Sequence, residues 1–294
     1  MAMAALSLPS WCRHANAMAV VALLLMATAA APAAVQALLQ DDVNFMWGQD
    51  HSFFHNDGNG VDMLALCLDK THGSGFRSKA AYLYGRFDID VKLVANNSAG
   101  TVTTVYLTTD DVRPGHHDEV DMEFLGNVTG EPYTLHTNIF VDSVGNREQQ
   151  FRLWFDPTAD FHTYSFEWTP KNIIFLIDGR PIRVHKNDGV AFPTQRRMRL
   201  DGSLWNADDW ATQGGRVKTD WTQAPFYAYY RNFRVTPCAP PPSPAGAAVY
   251  CGDDEAPESA AALRRVRAEH LLYDYCEDQN RFKATGLPKE CTTD

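Results

Sequence analysis

Residues His117-Asp118-Glu119-Val120-Asp121-Met122-Glu123-Phe124-Leu125-Gly126 carry acids at every second position. A β-strand places alternate residues on one face. Glu119, Asp121 and Glu123 then project together, and Val120, Met122 and Phe124 turn toward a core. Three carboxylates this close cannot all ionise cheaply, so at least one keeps its proton near neutral pH. A protonated acid beside an ionised one is the pair that cleaves a glycosidic bond. The outer Cα atoms are ~13 Å apart along a strand. Side chains leaning inward shorten that gap to about the 5 Å used by retaining glycosidases; inverting ones need more room. Asp121 can share a hydrogen bond with Glu119 and tune its charge. Two other uses fit the spacing: a calcium site, or a solvated strand face, although like charges on one sheet surface repel.

These acids need a sheet to hold them. Tyr82 to Val94, Gly100 to Thr108, Tyr133 to Val141, Gln149 to Phe155, His162 to Trp168 and Phe226 to Val235 are rich in β-branched and aromatic residues, mostly alternating. Ile173 to Ile177, Asp178-Gly179 and Arg180 to Val184 read as a hairpin with a type I′ turn. Many short strands without intervening helices predict an all-β antiparallel sandwich. Past Cys238 the composition changes: Ala239-Pro240-Pro241-Pro242-Ser243-Pro244 reads as a stiff linker. Pro257 to Tyr275 is expected to form a helix, with Leu263, Val266, His270 and Tyr273 on one side. The expected organisation is a leader over 1–37, a catalytic sandwich over 38–236 and an extension over 237–294 packed on it. That tail is too small to fold alone.

Arg13 and His14 precede the apolar stretch Ala17 to Met26, and small residues follow. This is the pattern of a secretory signal peptide, cut after Ala37 or, as second choice, Ala34. Pro32 closes the run too soon for a membrane span. A secreted chain, free of the membrane once cut, is expected. Cys12 leaves with the leader, and Cys67, in an alternating apolar run, is expected as a buried unpaired thiol. Cys238, Cys251, Cys276 and Cys291 form an even set in an oxidising compartment. Of three pairings, Cys238–Cys251 and Cys276–Cys291 close the shortest loops. No spacing suggests zinc, and neither a metal nor another cofactor is expected. The 294 residues are 45% hydrophobic and 21% charged, which excludes a disordered or coiled-coil chain. Net charge is −10, and −11 without the leader, which argues against nucleic acid as partner.

The acid strand resembles the HDEIDFEFLG signature of glycoside hydrolase family 16, in its plant xyloglucan endotransglucosylase/hydrolase branch. The likeness runs through Ser98 to Thr103, Leu135 to Asn138, Asn146 to Glu148, Leu153 to Pro157, Pro181 to Val184, Ser203 to Thr212 and the four-cysteine tail. It implies a β-jelly roll with an open groove on a concave sheet and a retaining mechanism. It makes Glu119 the nucleophile, Glu123 the acid/base and Asp121 the helper. It also implies a xyloglucan donor and acceptor, and a place in the cell wall and apoplast. Glucan contacts carried over are His136, Thr137, Asn138, Asn146, Arg147, Glu148, Asp209, Trp210, Gly214 and Arg281, the last reaching the acceptor from the tail. Of two sequons, at Asn96 and Asn127, the one at Asn127 matches the family's usual glycosylation site. Met122 replaces the usual phenylalanine. The compact loop from Asn206 to Gly215 resembles that of transferase-dominant members. The competing expectations are a secreted endo-β-glucanase on mixed-linkage or β-1,3-glucan, whose relatives tend to carry a bulged ExDxxE strand, and a calcium-dependent lectin.

Overall fold

Alternating strands with one apolar face must bury that face against another layer. The computed structural model, which describes residues 39–56, 62–238 and 257–292, does so with two antiparallel sheets. The first holds eight strands, in spatial order Val43–Trp47 (β1), Ser74–Ser78 (β4), Arg199–Asn206 (β13), Thr101–Thr108 (β6), Glu119–Leu125 (β7), Thr134–Phe140 (β8), Gln149–Arg152 (β9) and Leu271–Asp274 (β15). The second holds seven: Arg180–Lys186 (β12), Asn172–Ile177 (β11), His162–Trp168 (β10), Gly85–Lys92 (β5), Phe226–Pro237 (β14), Asp62–Leu68 (β3) and Ser52–Asn56 (β2). Helices are few: Leu39–Asp42 (α1), Pro257–His270 (α2) and short 3-10 turns. Among the described residues no helix is long and apolar enough to cross a membrane. The leader, Cys12, the proline-rich linker and Cys251 lie outside the described residues.

The core is the space between the sheets. Val105, Leu107, Val120, Met122, Phe124, Leu135 and Ile139 enter it from one side, and Phe87, Ile89, Val91, Tyr164, Phe166 and Trp168 from the other. Edge-to-face rings lock the layers: Phe124 meets Tyr164 at 4.6 Å and Phe76 meets Tyr230 at 5.0 Å. Tyr230 Oη lies 3.0 Å from the carbonyl of Thr104, so this buried hydroxyl is satisfied beneath the strand next to the acids. The predicted hairpin is present. Asp178 and Gly179 both have positive φ, 49° and 74°, as a type I′ turn requires.

Two expectations are corrected. The C-terminal helix stops at His270, and Leu271–Asp274 continues as an edge strand on β9. Helical spacing persists through Tyr273, yet the open backbone of β9 offers hydrogen bonds that one more helical turn does not, and Arg267 fixes the switch by donating to Asp274 Oδ2 at 2.7 Å. Cys67 is fully buried, as expected, but is disulfide-bonded rather than an unpaired thiol. Disulfide partners are chosen by tertiary proximity, which strand alternation does not report. In the tail, Cys276 bonds Cys291 as the local pairing requires, and Cys238 is also in a disulfide.

Candidate active site

β7 is paired on both sides without a break in register. Thr108, Tyr106 and Thr104 of β6 stand opposite Glu119, Asp121 and Glu123, and Phe140, Asn138 and His136 of β8 stand opposite the same three. β13 extends these rows with Arg199, Asp201 and Ser203, and Arg77 of β4 faces Asp201. Directly opposed residues share a face, so each acid sits in a polar or aromatic cross-strand row. Val120, Met122 and Phe124 are fully buried on the reverse face. The side chains of Glu119 and Glu123 remain 21% and 23% exposed, and Asp121 is buried between them.

Burial and mutual repulsion set the charges. Burial raises the Asp121 carboxyl well above the usual range, and the charges of Glu119 and Glu123 and a hydrogen bond with Glu119 raise it further. Burial, with the charge of Glu119, pushes Glu123 up to about 7. Both groups therefore hold protons where an isolated carboxyl does not. His117 Nε2 lies 3.1 Å from Glu119 Oε2 and 2.9 Å from Thr108 Oγ1, and the hydrogen bond to Glu119 raises the imidazole pKa. At the other end, burial pushes His136 down to about 4, so it is neutral. Gln150 Nε2 donates to its Nδ1 at 3.0 Å, which leaves the proton on Nε2, 3.8 Å from Glu123 Oε2.

Of the expected glucan contacts, His136 and Asn138 join the acid face. Asn138 Oδ1 accepts from the backbone N–H groups of Ile139 and Arg147 at 2.9 and 3.0 Å, which holds its side chain beside Asp121. Trp210 packs edge-on to His136, with centroids 5.9 Å apart, and is 36% exposed; Asp209 and Gly214 are exposed on the same loop. Glu148, whose charge reaches His136, accepts both guanidinium arms of Arg281 at 2.6 and 3.1 Å. Asn146 Oδ1 accepts from Arg281 at 2.7 Å, so three expected contacts meet at one place. Thr137 and Arg147 do not join them. Thr137 lies opposite Met122, on the core face, fully buried against Arg183 Nη1 at 2.7 Å. Arg147 is buried, donating to Glu290 at 2.7 Å and to the carbonyls of Val144, Gly145 and Ile139. Alternation turns the first inward, and the tail's acid draws the second.

Residues 39–223 match the model for glycosyl hydrolases family 16, and residues 256–291 match that of the xyloglucan endo-transglycosylase (XET) C-terminus. The chain belongs to glycosyl hydrolase family 16. This family-16 chain is 53% identical over 254 residues to "Xyloglucan endotransglucosylase protein 1" of Diospyros kaki, covering 85% of this chain and 86% of that protein. It is 50% identical over 255 residues to "Xyloglucan endotransglucosylase/hydrolase protein 24" of Arabidopsis thaliana, covering 86% and 90%. Among solved structures, a native glycosidic hydrolase superposes with TM-score 0.53 at 27% identity, over 65% of this chain and 83% of that one. An apo Crh5 transglycosylase, at 22% identity and TM-score 0.55 over 72% and 82%, shares the fold.

Several residues of this family-16 site escape the reading of the motif alone. His117 opens the motif yet is assigned no role by acid spacing. Thr104, Tyr106 and Thr108 form a period-two polar stripe inside an apolar strand, a signal that was available in β6. The bidentate Arg77–Asp201 pair, at 3.0 and 2.7 Å, joins residues 124 apart in sequence, and no local pattern announces it. Burial raises Asp201 to about 6 in spite of that arginine.

Proposed function

We infer that this chain cleaves the β-1,4-glucan backbone of xyloglucan with retention and passes the glycosyl group to another xyloglucan chain or to water. The observation that carries the reading is the division of charge along β7. Glu119 and Glu123 share one strand face with Asp121 buried between them, and burial pushes Glu123 up to about 7 and Asp121 well above the usual carboxyl range. Glu119 attacks the anomeric carbon while Glu123 gives its proton to the departing oxygen, so one glycosidic bond breaks and one glycosyl ester forms. Glu123, now ionised, takes a proton from the acceptor hydroxyl, which displaces Glu119. Asp121 donates a hydrogen bond to Glu119 and tunes its charge through the cycle.

The aromatic surface of Trp210, with neutral His136 and Asn138, suits sugar rings, which have apolar faces and a rim of hydroxyls. The Arg281–Glu148–Asn146 cluster supports an acceptor position beside the tail. The compact loop Asn206 to Gly215 supports transfer over hydrolysis. It is tied down by Asp208, which accepts from Thr219 N–H and Asn206 Nδ2 at 2.8 and 3.1 Å. Action in the cell wall and apoplast after loss of the 1–37 leader follows from the same reading. So does a glycan on Asn127, two residues past the end of β7. The mixed-linkage glucanase reading is disfavoured by the unbulged register of β7. The lectin reading is less favoured, because among the described residues the three acids do not bring three carboxylate ligand atoms close together.

The test mixes xyloglucan with labelled xyloglucan oligosaccharides, recording label entering polymer beside reducing ends released. Wild-type chain should transfer label. Glu119→Gln should lose on the order of 10^4-fold in rate or more while retaining xyloglucan affinity. A Glu119→Gln variant that still turns over at the wild-type rate would refute the assignment.

A further inference from the structure

A second set of ligating side chains lies away from the acid row, where the 3-10 turn Gln49–His51 meets the turn joining β3 to β4. Asp50 Oδ1 is 3.3 Å from His51 Nδ1 and 3.7 Å from His72 Nε2, and the two imidazole centroids are 3.9 Å apart. Bonds of about 2.0–2.1 Å at tetrahedral angles set neighbouring ligand atoms ~3.4 Å apart. The two edges that meet at Asp50 Oδ1 are already close to those of a zinc tetrahedron, and all three ligand atoms lie within 4.8 Å of one another.

The outward nitrogens strengthen the argument. His72 Nδ1 contacts the Gly73 carbonyl at 2.9 Å, and a carbonyl only accepts, so the proton is on Nδ1 and the Nε2 lone pair faces the cluster. His51 Nε2 lies 3.1 Å from Asp69 Oδ2, and Asp69 is itself held through Oδ1 by the Thr71 N–H at 2.7 Å. A carboxylate or carbonyl behind each imidazole is the arrangement that orients metal-ligating histidines. His51 is 7% exposed, and its ring nitrogens meet the carboxylates of Asp50 and Asp69 without well-directed hydrogen bonds, so a cation at Nδ1 would satisfy that buried atom and leave the Nε2 proton to Asp69. The framework is rigid. Gly48 has φ +62°, and a Cβ there would meet the Gly73 carbonyl at 2.3 Å, so the two turns are packed back to back. Ser74 Oγ bonds the carbonyl of His51 at 2.9 Å, fixing one turn to the other. The Asp50 side chain is 69% exposed, which leaves an entry path and room for a water ligand.

We propose that Asp50, His51 and His72 bind a divalent first-row transition cation, zinc in particular, with water completing the tetrahedron. Two imidazoles and one carboxylate suit zinc; calcium takes six to eight oxygens. The ion fastens the β1–β2 corner to the β3–β4 turn and takes no part in glycosyl transfer. The motif is hard to read in sequence, because His72 lies 21 residues from His51.

The test uses untagged full chain and Zn2+ alone, in equilibrium dialysis with metal analysis, and Co2+ as a spectroscopic probe. One zinc per chain and the visible absorption of tetrahedral cobalt are expected. Asp69→Asn should weaken zinc binding about 10–100-fold, and His72→Ala, at a half-exposed position that threatens folding less than His51 does, at least as much. Zinc should raise the melting temperature of wild type and not of His72→Ala. Equal zinc affinity in wild type and His72→Ala, an octahedral cobalt spectrum, or no bound zinc would each overturn the proposal. None of these readouts depends on transferase activity.

Discussion

His117 Nε2 and Glu119 Oε2 lie 3.1 Å apart on one face of the acid strand, with Thr108 Oγ1 touching the same nitrogen at 2.9 Å. A cation beside the proposed nucleophile stabilises its negative charge before attack and must yield when the ester forms. The hydrogen bond to Glu119 raises His117 above its ordinary 6.5. A raised folded pKa means that this pair's stabilisation is complete below 6.5 and is lost as pH rises through the higher folded value. Imidazole NMR should show His117 titrating above 6.5 in wild type and falling back toward it in Glu119→Gln.

Glu123 should govern the alkaline limb of the reaction. In the proposed cycle its proton goes to the leaving sugar, so glycosyl-enzyme formation should fall as pH rises through about 7. The same shift predicts a stability effect. The unfolded carboxyl ionises near 4.5 and the folded one near 7, so wild type loses stability across that window. Glu123→Gln should therefore be nearly inactive yet gain melting temperature over wild type at pH 9, and gain less at pH 5.

Arg281 offers a separable test of the acceptor side. Its contacts with Glu148, Asn146 and Tyr273 Oη are at the surface. Exposed ion pairs contribute about 0.2–1 kcal/mol, so Arg281→Ala should barely move the melting temperature. The acceptor KM for labelled oligosaccharide should rise roughly 10-fold, equivalent to about 1.4 kcal/mol, with little change in reducing ends released. A fall in kcat for both reactions would point to a general structural role.

The Cys276–Cys291 disulfide closes a 15-residue separation. Removing such a cross-link with serines should cost about 3 kcal/mol, read as a lower denaturation midpoint. Glu290, adjacent to Cys291, holds Arg147 at 2.7 Å, so the loss should also loosen the turn that carries Asn146 and Glu148. Transfer should suffer more than hydrolysis.

Much of this architecture was legible because alternation is local. Val120, Met122 and Phe124 against Glu119, Asp121 and Glu123 assigned a core face and an acid face, and the strand obeys it. The Asp178-Gly179 turn followed from the positive φ its residues tolerate. What local pattern could not supply was distance: the arginine facing Asp201, the partner of Cys67, the turn of Thr137 away from the acids. The strand Leu271–Asp274 was hidden for a related reason. Its residues fit a helix equally well, and only the vacant edge of Gln149–Arg152 decides between the two.

That edge strand has a consequence beyond the acceptor region. An open sheet margin invites pairing with the same margin of another molecule. By occupying the outer backbone of Gln149–Arg152, the final segment moves that margin away from the strand beside His136 and onto its own four residues, Leu271–Asp274. A chain ending before residue 257 would keep its three acids in place and bare the backbone of Gln149–Arg152, one strand away from them.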